Sequence, residues 1–134
     1  MVMAGSKKNT KDVAKPAPKL QNYEQRDPPD VEELGRSSWT LLHSIAATYP
    51  ETPTNTQQAE LKQFLKLFGN FYPCWYCADD FKDYMKNNVP KVDTQEKFGK
   101  WLCDAHNEVN VKIGKPKFDC NLWKQRWRDG WDEN

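Results

Sequence analysis

From Asp27 onward, apolar side chains recur every three to four residues between polar ones, the spacing of helices that bury one face. Leu34, Ser38, Leu41, Leu42, Ile45 and Tyr49 mark a first helix. Asp30, with Glu33 three residues on, supplies a capping-box start, and Tyr49-Pro50 ends the helix because a residue before proline is pushed out of helical backbone. Thr54 with Gln57 repeats the capping signal ahead of a second apolar face formed by Leu61, Phe64, Leu65, Phe68 and Phe71. A third helix is predicted from Cys74 to about Asn88, with Phe81, Tyr84 and Met85 inward and Val89-Pro90 terminating it. Asp93 with Glu96 predicts the cap of a fourth, carrying Phe98, Trp101, Leu102, Ala105, Val109 and Ile113 and stopped by Gly114 and Pro116. A short fifth segment holds Leu122, Trp123, Arg126 and Trp127. Sustained period-two alternation and hairpin turn signals are both missing, so the expected class is all-α, a helical bundle.

Composition changes that picture at the N-terminus. Residues 1–27 are rich in Lys, Ala, Pro and Asn and carry few bulky apolar groups, so they bury too little surface to offset the entropy of ordering. They are expected to form a flexible tail, with one domain over 28–134. A chain of 134 residues has the length of one domain. The formal net charge of +1, from 20 basic and 19 acidic residues, provides no field to recruit nucleic acid or an anionic membrane. Apolar runs are broken well short of the roughly 20 residues a membrane span requires, and the N-terminus has no apolar signal core, so a soluble protein is expected.

Candidate chemistry centres on Tyr72-Pro73-Cys74-Trp75-Tyr76-Cys77. Two thiols two residues apart can cycle between dithiol and disulfide, and the start of a helix favours thiolate because unpaired backbone N–H groups and the macrodipole stabilise negative charge there. A bridge across so short a loop restricts the unfolded chain little, which favours redox work over a structural clip. Cys103 and Cys120 enclose a longer loop, and bridging them would pin the fifth segment onto the fourth helix, a structural role. The spacing leaves a competing reading open, because Cys74-x-x-Cys77 with Cys103-x-x-His106 also spells a Cys3His zinc module. A third reading is a disulfide-stapled helical scaffold that binds a partner through its tryptophans. Cys103, His106, Asn107 and Asn110 share one helical stripe, a hydrogen-bonding surface suited to a large heteroaromatic cofactor.

Several of these motifs, in order and together, resemble the FAD-linked sulfhydryl oxidases of the Erv/ALR family. They are Gly35-Arg36-Ser37-Ser38-Trp39 with His43, Tyr72-Pro73-Cys74 through Cys77, Cys103 through His106-Asn107-x-x-Asn110, Lys115-Pro116-Lys117-Phe118-Asp119-Cys120, and Arg126-Trp127-Arg128-Asp129-Gly130-Trp131. The resemblance covers about residues 27 to 132 and is nearest to the branch of the mitochondrial intermembrane space.

The resemblance implies a four-helix bundle with a short fifth helix, FAD at the mouth of the bundle, and a non-covalent homodimer for which Leu34 and the first two helices offer apolar surface. By matching position, Gly35, Arg36, Trp39, His43, Tyr72, Cys103, His106, Asn107, Val109, Asn110, Lys115, Arg126 and Trp127 belong to the FAD site, with no metal. Trp and His rings suit the flat adenine and isoalloxazine planes, and Lys115 and Arg126 suit the diphosphate. The family mechanism makes Cys74 and Cys77 catalytic: substrate thiolate attacks an exposed Cys74, and Cys77, the flavin-proximal thiol, passes two electrons to the isoalloxazine. Oxygen, yielding hydrogen peroxide, or cytochrome c then accepts them. Related enzymes usually carry a further cysteine pair on a flexible terminal segment. Residues 1–73 contain no cysteine and none follows Cys120. The expectation is therefore either a core domain or an enzyme whose thiol substrates, small dithiols or an oxidoreductase import receptor, reach Cys74 directly.

Overall fold

The computed structural model describes residues 27–132, and the tail expected over 1–27 lies almost wholly outside them. The described residues contain four α-helices and no strand: α1 Val31–Thr48, α2 Asn55–Phe71, α3 Trp75–Asn87 and α4 Gln95–Lys112. A 3-10 turn, Cys120–Leu122, and a five-residue π-helical turn, Gln125–Asp129, complete the chain. The fold is all-α, a four-helix bundle followed by short helical turns. None of these helices is long and apolar enough to cross a membrane.

By its internal contacts the chain divides into Met1–Leu34 and Gly35–Asn134. Within the first unit, the Asp30 carboxylate accepts from the Glu33 N–H at 2.8 Å and the Asp30 carbonyl from the Leu34 N–H at 2.9 Å, which supplies acceptors for two of the donors left open at a helix start.

In the second unit, α1 contributes Leu42 and Ala46, α2 contributes Leu61 and Leu65, and α4 contributes Phe98, Trp101, Leu102 and Ala105 to one core. Tyr49 and Val92 join it from the connecting segments, and Phe81, Tyr84 and Met85 of α3 pack against its edge. At α2 the Thr54 hydroxyl accepts from Gln57 N–H while the Gln57 side chain accepts from Thr54 N–H, a complete capping box. The start of α4 differs from expectation. Thr94 is its cap, accepting from the Lys97 N–H at 3.0 Å, whereas Asp93 lies one residue outside and pairs with the Lys97 ammonium at 2.9 Å. A hydroxyl and a carboxylate stood side by side in sequence, and the helix register selected the hydroxyl.

The apolar stripes were drawn too wide. Leu41 (54% exposed), Phe71 (80%) and Ile113 (58%) face outward, because the spacing of a helix brings more residues onto a nominal face than its neighbours cover. Polar contacts set the connections instead. Buried Gln95 donates its amide to the carbonyls of Ala47 (3.1 Å) and Tyr49 (2.6 Å), the Tyr49 hydroxyl donates to Val92 O at 2.6 Å, and Trp101 Nε1 donates to Asn88 O at 3.0 Å. These bonds provide partners for carbonyls at the ends of α1 and α3 and tie both ends to the start of α4.

Candidate active site

Cys74 and Cys77 are disulfide-bonded, with their Cα atoms 5.3 Å apart. Cys74 is the N-cap of α3, and its Sγ accepts from the Cys77 N–H at 3.3 Å. The proline before it and the β-region backbone at Cys74 start the helix there, so the disulfide sits where the helix dipole favours a departing thiolate. Cys74 is 7% exposed and Cys77 is half-buried, so the cysteine expected to be exposed is the more covered residue of the two. Trp75 (72% exposed) and Tyr76 (51%) stand outward between the cysteines, their rings edge to face at 5.5 Å.

Cys103 and Cys120 are also bonded, with Cα atoms 5.7 Å apart. With both pairs oxidised, the Cys3His zinc reading has no thiolate left to offer a metal. Asn107 reinforces the second bridge. Its amide donates to Phe118 O at 2.9 Å, its carbonyl oxygen accepts from Phe118 N–H at 2.8 Å, and Asn110 donates to that same oxygen at 3.1 Å. Asn107 is thus a two-way clamp on the loop that carries Cys120, a role its place in a polar helical stripe did not reveal.

Around α1 and α4 a stack of flat rings forms. Trp39 and His106 lie parallel within 2°, centroids 4.2 Å apart, and His43 stacks on Trp127 at 4.4 Å and 10°. One hydrogen bond joins the histidines, and the Arg126 guanidinium carbon lies 3.9 Å from the Trp127 ring centroid. Burial, then His106, then Arg126 lower the His43 pKa to about 3, and burial, then Lys115, then Arg126 lower that of His106 to about 4. Both imidazoles are neutral at pH 7. Tyr72 meets Ser38, hydroxyl to hydroxyl, at 2.9 Å, and burial raises its pKa, the Ser38 bond partly opposing it.

Of the residues singled out in sequence, Trp39, His43, His106, Arg126 and Trp127 are brought together, with Lys115 near enough to act on His106. Tyr72 is tied to α1 through Ser38, while Arg36 is exposed and Val109 half-buried. A Cβ at Gly35 would meet nothing within 4 Å, so packing does not demand glycine there. Arg128, part of the Arg126–Trp131 motif but given no role by it, donates to Gln95 Oε1 at 2.7 Å and so anchors the turn that sets Trp127 against His43. Its alternation with Trp127 in Arg126-Trp127-Arg128 was the available signal.

The model of the Erv1 / Alr family matches residues 36–128, a span that contains every element of this site. The chain belongs to the Erv1/Alr family. It is 54% identical over 131 residues to the mitochondrial FAD-linked sulfhydryl oxidase ERV1 of Saccharomyces cerevisiae, covering 98% of this chain and 69% of that protein. It is 50% identical over 100 residues to the mitochondrial FAD-linked sulfhydryl oxidase erv1 of Schizosaccharomyces pombe, covering 73% of this chain and 55% of that one. The crystal structure of the yeast Erv1 core superposes with a TM-score of 0.79 at 60% identity, covering 81% of this chain and 92% of that one. This Erv1/Alr chain thus spans 69% and 55% of the length of these two curated relatives.

Proposed function

We propose that this chain oxidises thiols to disulfides with the Cys74–Cys77 pair, using bound FAD. The observation that carries the reading is a Cys-x-x-Cys disulfide capping a helix in the same bundle as the stacked Trp39, His43, His106 and Trp127 rings. The donor set suits a flavin dinucleotide: flat neutral rings for its two aromatic systems, and Lys115 and Arg126 for its diphosphate. As an FAD-linked sulfhydryl oxidase of the mitochondrial ERV1 type, the chain is an oxidoreductase. Its proposed compartment is the intermembrane space, and its proposed assembly a homodimer.

A substrate thiolate attacks Cys74 Sγ, forming a mixed disulfide and releasing Cys77 as thiolate at the helix N-terminus. The second substrate thiol then attacks the substrate sulfur of that bond, leaving a substrate disulfide and a Cys74/Cys77 dithiol that holds the two electrons and two protons. FAD held by the ring stack with Lys115 and Arg126 would supply the two-electron acceptor for that dithiol, with oxygen or a carrier such as cytochrome c as the proposed final acceptor. The neutral imidazoles of His43 and His106 add no charge of their own beside the Arg126 guanidinium that lies on Trp127, while the Cys103–Cys120 bridge and the Asn107 clamp hold the Lys115 loop in place. Reduced import-receptor protein and small dithiols are the proposed substrates.

The deciding experiment is the visible spectrum of the purified protein, repeated without oxygen in dithiothreitol. A flavin spectrum that bleaches with thiol and returns with air is expected. A colourless protein that still folds, or a flavin that thiol leaves oxidised, would overturn the reading.

A further inference from the structure

A cleft of about 360 Å³ lies between α2 and α3, away from the aromatic stack. Lys62 and Lys66, one turn apart on α2, face Lys82 and Lys86, one turn apart on α3. Among the described residues, no carboxylate comes within ion-pairing distance of these four ammonium groups, although Lys97, Lys100, Lys112 and Lys124 all have such partners. Met85 and Pro90, both half-buried, give the cleft an apolar floor, and Asn70 lies on the wall leading toward Cys74.

Four like charges collected on two packed helices repel one another, and an anion laid between them relieves that repulsion. The arrangement is elongated: two cation rows along antiparallel helices suit a linear polyanion better than a compact single phosphate. The apolar floor asks for a side chain beside the charges, which a peptide supplies. The position also constrains the peptide, since Lys82 and Lys86 lie roughly 12 and 18 Å along α3 from Cys74, the sulfur that takes the substrate thiol, at 1.5 Å per residue. An extended chain advances about 3.3–3.6 Å per residue, so acidic residues about four and five positions from a reactive thiol would meet them.

We propose that this cleft docks an acidic segment of the thiol substrate and thereby delivers the neighbouring thiol to the Cys74–Cys77 disulfide. The inference rests on the oxidase reading above and adds the chemistry by which a substrate is selected. Phe71, Trp75 and Tyr76 are exposed at the turn joining α2 to α3, beside the disulfide in sequence.

The test uses the full chain and two synthetic dithiol peptides, identical except that Asp and Glu about four and five residues from the thiol become Asn and Gln. Binding is read first by fluorescence anisotropy with both peptides S-alkylated, so that no oxidase activity is needed. The acidic peptide should bind more tightly at low salt, and Lys66→Glu with Lys82→Glu should weaken it roughly tenfold while leaving the neutral peptide unaffected. Lys66→Gln with Lys82→Gln should lie between, its fold checked by circular dichroism. With the peptides as free dithiols, the double variant should raise KM for the acidic one by the same factor and leave kcat and dithiothreitol turnover unchanged. Equal binding of the two peptides, unchanged binding by the variants, or preference for anionic phospholipid vesicles over the acidic peptide would overturn the proposal. Loss of dithiothreitol turnover in the unmodified protein would instead strike the oxidase reading, with the anisotropy result still judging the cleft.

Discussion

His43 and His106, 63 residues apart in sequence, share a single hydrogen bond, Nε2 to Nδ1 at 2.9 Å. Such a bond needs one nitrogen as donor and the other as acceptor, which two neutral imidazoles provide and two imidazolium ions do not. In the folded chain the pKa values are lowered to about 3 and about 4, whereas an unfolded histidine takes its proton near 6.5. The unfolded state therefore binds more protons below that pH, and the stability carried by the neutral pair is lost as pH falls from about 6.5 toward 4. Imidazole proton shifts should stay flat between neutrality and pH 5 while the melting temperature falls. A titration midpoint near 6.5 for either ring would contradict the assignment.

Replacing Cys77 by Ser frees Cys74 and removes the leaving thiolate. The variant should retain flavin, lose its bleaching by dithiothreitol, and, when given oxidised glutathione, form a mixed disulfide at Cys74 that mass spectrometry detects. Retained bleaching, or a trapped adduct found only in Cys74→Ser, would reverse the two roles. The low exposure of Cys74 also predicts that alkylation of Cys74 in this variant is slower than that of a free peptide thiol.

The Cys103–Cys120 bridge closes a loop of sequence separation 17. Its loss by Cys103→Ser with Cys120→Ser should cost about 3 kcal/mol, read as a lower denaturant midpoint. Asn107→Ala should add to that loss, because Phe118 N–H and C=O lose the same partner. An unchanged midpoint in the cysteine double variant would show that the bridge carries no stability.

Gly99 lies under Trp123. A Cβ there would come within 2.6 Å of the indole, whose side chain is almost fully buried. Gly99→Ala should destabilise by about 1–3 kcal/mol through overpacking, and it should loosen the segment that carries Trp127. A chemical melt checks the first effect and flavin retention the second; a neutral result in both would mean that the indole moves aside freely.

The four helices were legible in the chain because their determinants are local: helical spacing of Leu42, Leu61, Leu65 and Phe98, the Thr54-to-Gln57 box, and Pro50 and Pro90 as stops. The residues of the ring stack could be named only by matching the family's motifs. Burial decided what spacing did not, for Leu41 and Phe71 sit on plausible apolar faces yet find no neighbour to cover them. Thr94 over Asp93 as a cap, the Gln95 and Asn107 clamps, and the anchoring of Trp127 by Arg128 all join residues through partners distant in sequence or through helix register. The lysine cleft is of the same kind: Lys62 and Lys66 are an ordinary solvated stripe until α3 brings Lys82 and Lys86 opposite. Local backbone preferences determine helices because their hydrogen bonds close within four residues. The chemistry of the site waits for tertiary structure because ring stacking, burial and charge act between side chains that only packing brings together.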